Sequence, residues 1–94
     1  MKTIKTEDFV FNNKTYTIKA WQNLEDFFVV QAFQEEVPVS YQLVLGKIQA
    51  DDMRIYYSAN PVGMMMKHVR RFVEEFESLM LETNKLRNRV PAMA

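Results

Sequence analysis

The sequence predicts an α+β domain: an antiparallel four-stranded sheet built from two consecutive β-hairpins, a short irregular or helical segment, and one long C-terminal α-helix packed on the sheet. Three observations carry this prediction. Apolar and polar residues alternate through most of residues 7–46. Asn60-Pro61 marks a sharp helix start. From Val62 to Leu86, apolar residues then recur at alternating steps of three and four, the period of an amphipathic helix.

Residues 1–6 read as a short polar start, and the sheet as residues 7–46. In the first hairpin Phe9 and Phe11 alternate with Asp8 and Val10, and Tyr16, Ile18 and Ala20 alternate with Thr15, Thr17 and Lys19. Asn12-Asn13 between them suits a tight turn, because asparagine tolerates positive φ better than most residues. Gln22–Asp26 is a polar connection. The next run, FFVVQAFQ over residues 27–34, is rich in aromatic and β-branched side chains and reads as the third strand. A helix from Leu24 to Glu36 is the alternative, since Phe27, Val30 and Phe33 or Gln34 would share a face. After Glu35-Glu36, Pro38 precedes the fourth strand, in which Tyr41, Leu43 and Leu45 alternate with Ser40, Gln42 and Val44. Proline fits at a strand start, where its missing N–H matters least.

Residues 47–59 form the connecting segment. Either Asp51 or Asp52 caps a short helix carrying Ile55 and Tyr56, the favoured reading, or Met53–Tyr57 forms a fifth strand. Asn60 is a strong N-cap, and Pro61 suits the first helical position with its fixed φ. The long helix is expected over 61–88, with Lys85, Arg87 and Arg89 near its negative dipole end and a frayed tail over 89–94. The whole chain, residues 1–94, reads as one domain.

The helical stripe comprises Val62, Met65, Val69, Phe72, Phe76, Leu79, Thr83 and Leu86, and a third position adds Met66, Val73 and Met80. That face is too broad for a two-stranded coiled-coil seam and suits a helix lying on a sheet. Phe9, Phe11, Tyr16, Ile18, Tyr41, Leu43 and Leu45 are the sheet residues expected beneath it. The third strand supplies either Phe27, Val29 and Phe33 or Phe28, Val30 and Ala32. It is apolar on both faces, which is the pattern of a strand buried on both sides. One helix covers only one side. The other face is therefore the candidate interface, with Trp21, Phe28, Val30 and Val44 as its expected residues. Segment 47–58, a second copy of the chain, or another protein would cover it.

Composition narrows the functions. Twelve basic residues balance 12 acidic ones, so the chain as a whole has no strong attraction to polyanions. The absence of cysteine excludes disulfides, zinc–thiolate sites, iron–sulfur clusters and thiol catalysis. The N-terminal sequence lacks the pattern of a secretory signal, and no apolar run is long enough to span a membrane, so a cytoplasmic protein is expected.

No catalytic, cofactor or metal site is expected. His68 is the only histidine and stands beside Lys67 at the margin of the stripe. Asp51-Asp52 and Glu35-Glu36 are adjacent carboxylates, but neighbours on a helix or strand point in different directions. Met64-Met65-Met66 fan out around a helix and cannot converge on one soft metal ion. Gly46 and Gly63 stand alone, so no phosphate-binding loop is present. The expected function is a small non-enzymatic interaction module, binding itself as a homodimer or another protein. Nucleic-acid binding through Arg70, Arg71, Arg87 and Arg89 is the alternative, disfavoured by the glutamates interspersed on the same helix.

Overall fold

The computed structural model describes residues 2–89, with side chains through residue 80. Element order is β1 (Lys2–Phe11), β2 (Lys14–Gln22), β3 (Phe28–Gln34), β4 (Val37–Pro38), β5 (Leu43–Leu45), α1 (Lys47–Tyr57) and α2 (Pro61–Arg89). The expected frayed tail beyond Arg89 lies outside the described residues. The chain forms a small α+β domain: a four-stranded antiparallel sheet, its fourth strand broken into β4 and β5, with α2 packed across one face.

β1 and β2 meet across Asn12-Asn13, whose φ angles of 53° and 63° give the left-handed pair of a tight hairpin. β1 begins at Lys2, so the expected polar start is part of the sheet. A register shift between Thr3 and Lys5 interrupts its ladder with β2, and its first residues are exposed on both faces. Alternation carries no signal there.

The segment between β2 and β3 is a compact turn. Asn23 Oδ1 accepts hydrogen bonds from the N–H groups of Glu25 and Phe27 (2.9 and 3.0 Å), and Asp26 adopts a φ of 63°. This turn fixes the register, pairing Gln22 with Phe28, Trp21 with Val29 and Ala20 with Val30. Glu35-Glu36 then repeats the left-handed turn, with φ of 50° and 67°. Glutamate has neither glycine's freedom nor asparagine's local hydrogen bonding, so this turn is strained.

β4 pairs with Phe33 and Gln34, and β5 pairs with Phe28–Val30. Between them the chain leaves the ladder, and Ser40 replaces the missing backbone group. Its Oγ accepts a hydrogen bond from Ala32 N–H (2.9 Å), while Val39 N–H donates to Ala32 C=O (2.9 Å).

Helix α1 starts at Lys47, earlier than the aspartates suggest. Gly46 stands at its N-cap, and Gln49 Oε1 accepts from Gly46 N–H (2.9 Å). Asp51 lies within the helix and pairs with Arg54 at 3.7 Å. Ser58, at φ 49°, ends α1 in a left-handed cap. Asn60 Oδ1 then accepts from Gly63 N–H (3.1 Å), capping α2 as the sequence predicts.

Phe9, Tyr16, Ile18, Ala20, Val30 and Ala32 from the sheet pack against Val62, Met65, Met66, Val69 and Val73 of α2. Each of the larger of these side chains contributes about 1.5–3 kcal/mol by burial, and the two alanines less. The surface pairs Arg70–Glu74 and Arg71–Glu75 contribute about 0.3–0.5 kcal/mol each, so packing holds α2 in place.

The hydroxyl of Tyr16, a residue only 1% exposed, donates to Glu77 Oε1, which also accepts from Lys14 Nζ at 3.2 Å. The Tyr16 bond holds the Glu77 carboxyl below its ordinary range, and Lys14 adds to the effect against the opposing push of partial burial. Burial, then the hydrogen bond and charge of Glu77, raise the Tyr16 phenol far above its ordinary value.

Two predictions follow from these contacts. Replacing Glu35-Glu36 by Asn-Gly should stabilise the fold by about 1–2 kcal/mol, read as a higher urea midpoint at unchanged slope. Glu77→Ala should cost about 1–3 kcal/mol, because it leaves the Tyr16 hydroxyl unpaired. Since the folded carboxyl titrates lower than the unfolded one, its contribution is present above the unfolded pKa and lost as pH falls through the folded value. The difference in stability between wild type and Glu77→Ala should therefore shrink below about pH 4. The raised phenol acts at the other limb: its contribution is complete below the ordinary tyrosine value of 10.0 and declines as pH rises above it.

Candidate functional site

The register of the sheet decides which side chains α2 covers. Phe28, Val30 and Ala32 of β3 point to the helix side, with Leu43 and Leu45 of β5. Val30 is 0% exposed beneath α2. This corrects the expectation for Phe28 and Val30, which belong to the main core and not to the open face. Trp21 and Val44 do lie on the open face, where Val29 and Phe33 take the places assigned to Phe28 and Val30.

Cross-strand pairing arranges the open face in rows. Thr3, Trp21, Val29 and Val44 form one, Thr6, Lys19 and Gln31 the next, and Asp8, Thr17 and Phe33 a third. Trp21 and Phe33 lean toward each other over the middle row, with ring centroids 6.5 Å apart. Val29, between Trp21 and Val44, is 4% exposed, whereas Val44 at the margin is 49% exposed. Lys19 Nζ lies 4.8 Å from the Phe33 ring centroid and pairs with Glu36 at 3.1 Å.

Gln31, 9% exposed, ties this face to the broken edge. Its Nε2 donates to Ser40 C=O (2.9 Å), and its Oε1 accepts from Gln42 Nε2 (3.3 Å). Together Thr3, Lys19, Trp21, Gln31, Phe33 and Gln42 line a shallow depression of about 360 Å³. It has aromatic walls, amide and hydroxyl groups, and one cation. This is recognition chemistry, with apolar contact area and a few polar groups that fix orientation.

The remaining candidate residues are dispersed. Arg70 pairs with Glu74 (3.2 Å), approaches Glu7 (4.0 Å) and stacks over Phe9 (4.9 Å to the centroid). Arg71 pairs with Glu75 at 3.1 Å on the exposed side of α2. The side chains of Arg87 and Arg89 lie outside the described residues. Met65 and Met66 fill the core while Met64 faces outward. His68 lines a surface depression with Met64, Lys67 and Arg71. Among the described residues, no three His, Asp or Glu side chains gather in a metal-binding arrangement, and no helix is long and apolar enough to cross a membrane.

Sequence reasoning missed Val29 and Phe33 because the third strand alternates apolar with apolar and carries no phase. The usable signal was Trp21. It stands out of step with Tyr16, Ile18 and Ala20, so its cross-strand partner must also face outward.

The Ser40 contact gives a direct test of what holds this edge together. Ser40→Ala should leave the buried Ala32 N–H without an acceptor and cost about 1–3 kcal/mol. Hydrogen exchange should show it as faster opening at Ala32. Comparison with known protein families, with curated proteins and with solved structures yields no match to this chain.

Proposed function

We propose that this chain is a small non-enzymatic interaction module that associates with a second copy of itself through the open face of its sheet. The observation that carries the proposal is the apolar character of β3 on both sides. Val30 and Ala32 are covered by α2, while Val29, flanked by Trp21, Val44 and Phe33, forms an apolar patch on the side opposite that helix. Sheets pack face to face about 10 Å apart, and inward side chains of this size fill such a gap.

The patch spans three strands. The affinity of such a contact depends on how well its aromatic and aliphatic side chains pack, and not on its area alone. The near-zero net charge leaves little repulsion between copies. Absence of cysteine fits a cytoplasmic setting and a role without thiol chemistry. Nucleic-acid binding through Arg70 and Arg71 is the weaker reading, because Glu74 and Glu75 already engage both guanidinium groups.

Sedimentation velocity from about 10 µM to 1 mM tests the proposal across moderate and weak association. The expected result is a rise in average mass with concentration, abolished by Trp21→Glu or Val44→Glu with folding retained. A monomer throughout, or association indifferent to both substitutions, would overturn it.

A further inference from the structure

A second feature lies on the opposite side of the sheet, where the β1 edge meets the first turns of α2. Lys5, Glu7, Ile18, Gly63, Met66, Lys67 and Arg70 line a cleft of about 210 Å³. Lys5 is opposite Ala20, and Glu7 opposite Ile18, so both side chains stand on the helix side of the sheet. Lys67 and Arg70 come from α2. Cations distant in sequence therefore converge on one depression, whose floor, Ile18 and Met66, is buried and apolar.

The charges in the cleft are only partly compensated. Lys5 and Lys67 have no ion-pair partner among the described residues, whereas Arg70 pairs with Glu74 at 3.2 Å and approaches Glu7 at 4.0 Å. From Pro61 to Val73, α2 carries Lys67, Arg70 and Arg71 and no carboxylate. The helix dipole favours cations at the C-terminal end of a helix, so it does not account for Lys67 in this half. A concave site with basic walls and a low-dielectric floor concentrates positive potential.

We propose that this cleft binds the phosphoryl group of a small phosphomonoester, with Lys5 and Lys67 as its principal ligands and Arg70 closing one side. The volume accommodates one such group with a short substituent. A polyanion running along α2 would meet Glu74, Glu75 and Glu77 immediately beyond the cleft, which favours a small ligand over a nucleic-acid backbone. Glu7 is the one unfavourable charge, and it sets a limit on affinity. The site is independent of the open face, so either reading can fail alone.

The test is a chemical-shift titration of the full chain with glycerol 3-phosphate at low ionic strength, with inorganic phosphate, acetate and a single-stranded oligothymidylate as further probes. Saturable shifts confined to residues near Lys5, Gly63 and Lys67, stronger for the phosphate-bearing small ligands than for acetate, support the proposal. Lys5→Ala and Lys67→Ala should each weaken binding by about tenfold, and Glu7→Gln should leave it unchanged or tighter. Both lysines lie at the surface, outside the packed core, so their variants should keep the wild-type fold. Absence of saturation by about 20 mM phosphomonoester, a concentration far above a useful affinity, would overturn the proposal. So would lysine variants that bind as wild type, or oligonucleotide binding that exceeds the small ligands and grows with strand length.

Discussion

The structure depends on the burial of β3. This strand pairs with β2 along one edge and with the broken β4–β5 strand along the other, and its backbone polar groups must be satisfied on both. Its helix-side residues, Val30 and Ala32, are completely enclosed beneath α2. Alanines at 20 and 32 leave room for the helix to sit close, and Val69, Met65 and Met66 fill that space. Methionine suits such a position because its unbranched chain adapts to the uneven surface of a twisted sheet.

That arrangement uses the broad face of α2 on one side of the sheet. The opposite side is left to its own side chains, which shelter one another. Trp21 and Phe33 meet over the Lys19–Gln31 row, and Gln31 turns its amide into the gap between β4 and β5. The same residue thus closes a defect in the ladder and forms part of the open face. The break matters for this reason: an unbroken fourth strand would satisfy Ala32 through backbone bonds alone, and Gln31 would have no carbonyl to hold its side chain in place.

How much of this was legible in the sequence depends on whether the signal is local. The α2 start was legible because Asn60 and Pro61 act within one turn, and the stripe beyond them repeats often enough to fix its period. The first hairpin was legible through Asn12-Asn13 and the clean alternation of Tyr16, Ile18 and Ala20. The phase of β3 was not, because a strand apolar on both faces looks the same shifted by one residue. Its phase is set by the Asn23–Phe27 turn, where a side-chain hydrogen bond and a left-handed Asp26 decide which residue follows Gln22 across the ladder. The break at Ser40 was hidden for a related reason: a hydroxyl standing in for a backbone group leaves the alternation of Tyr41, Leu43 and Leu45 intact. Lys5 carried no signal, since its significance depends on Lys67 arriving from the other end of the fold.

The charge order along α2 shows which features of the helix serve its own stability. A glutamate four residues before a basic residue is the favourable orientation, and acidic groups belong near the N-terminal end. Here the first rule is reversed and the second goes unused. Arg70 and Arg71 precede Glu74 and Glu75, and residues 61–66 carry no charge. Helix α2 accommodates this arrangement because five core side chains, Val62, Met65, Met66, Val69 and Val73, anchor it to the sheet. Their burial outweighs the few tenths of a kcal/mol, about 0.3–0.5 per pair, that a reordered surface would add. Packing therefore fixes the position of the helix, and its outward charges are free to be arranged for contact with something else.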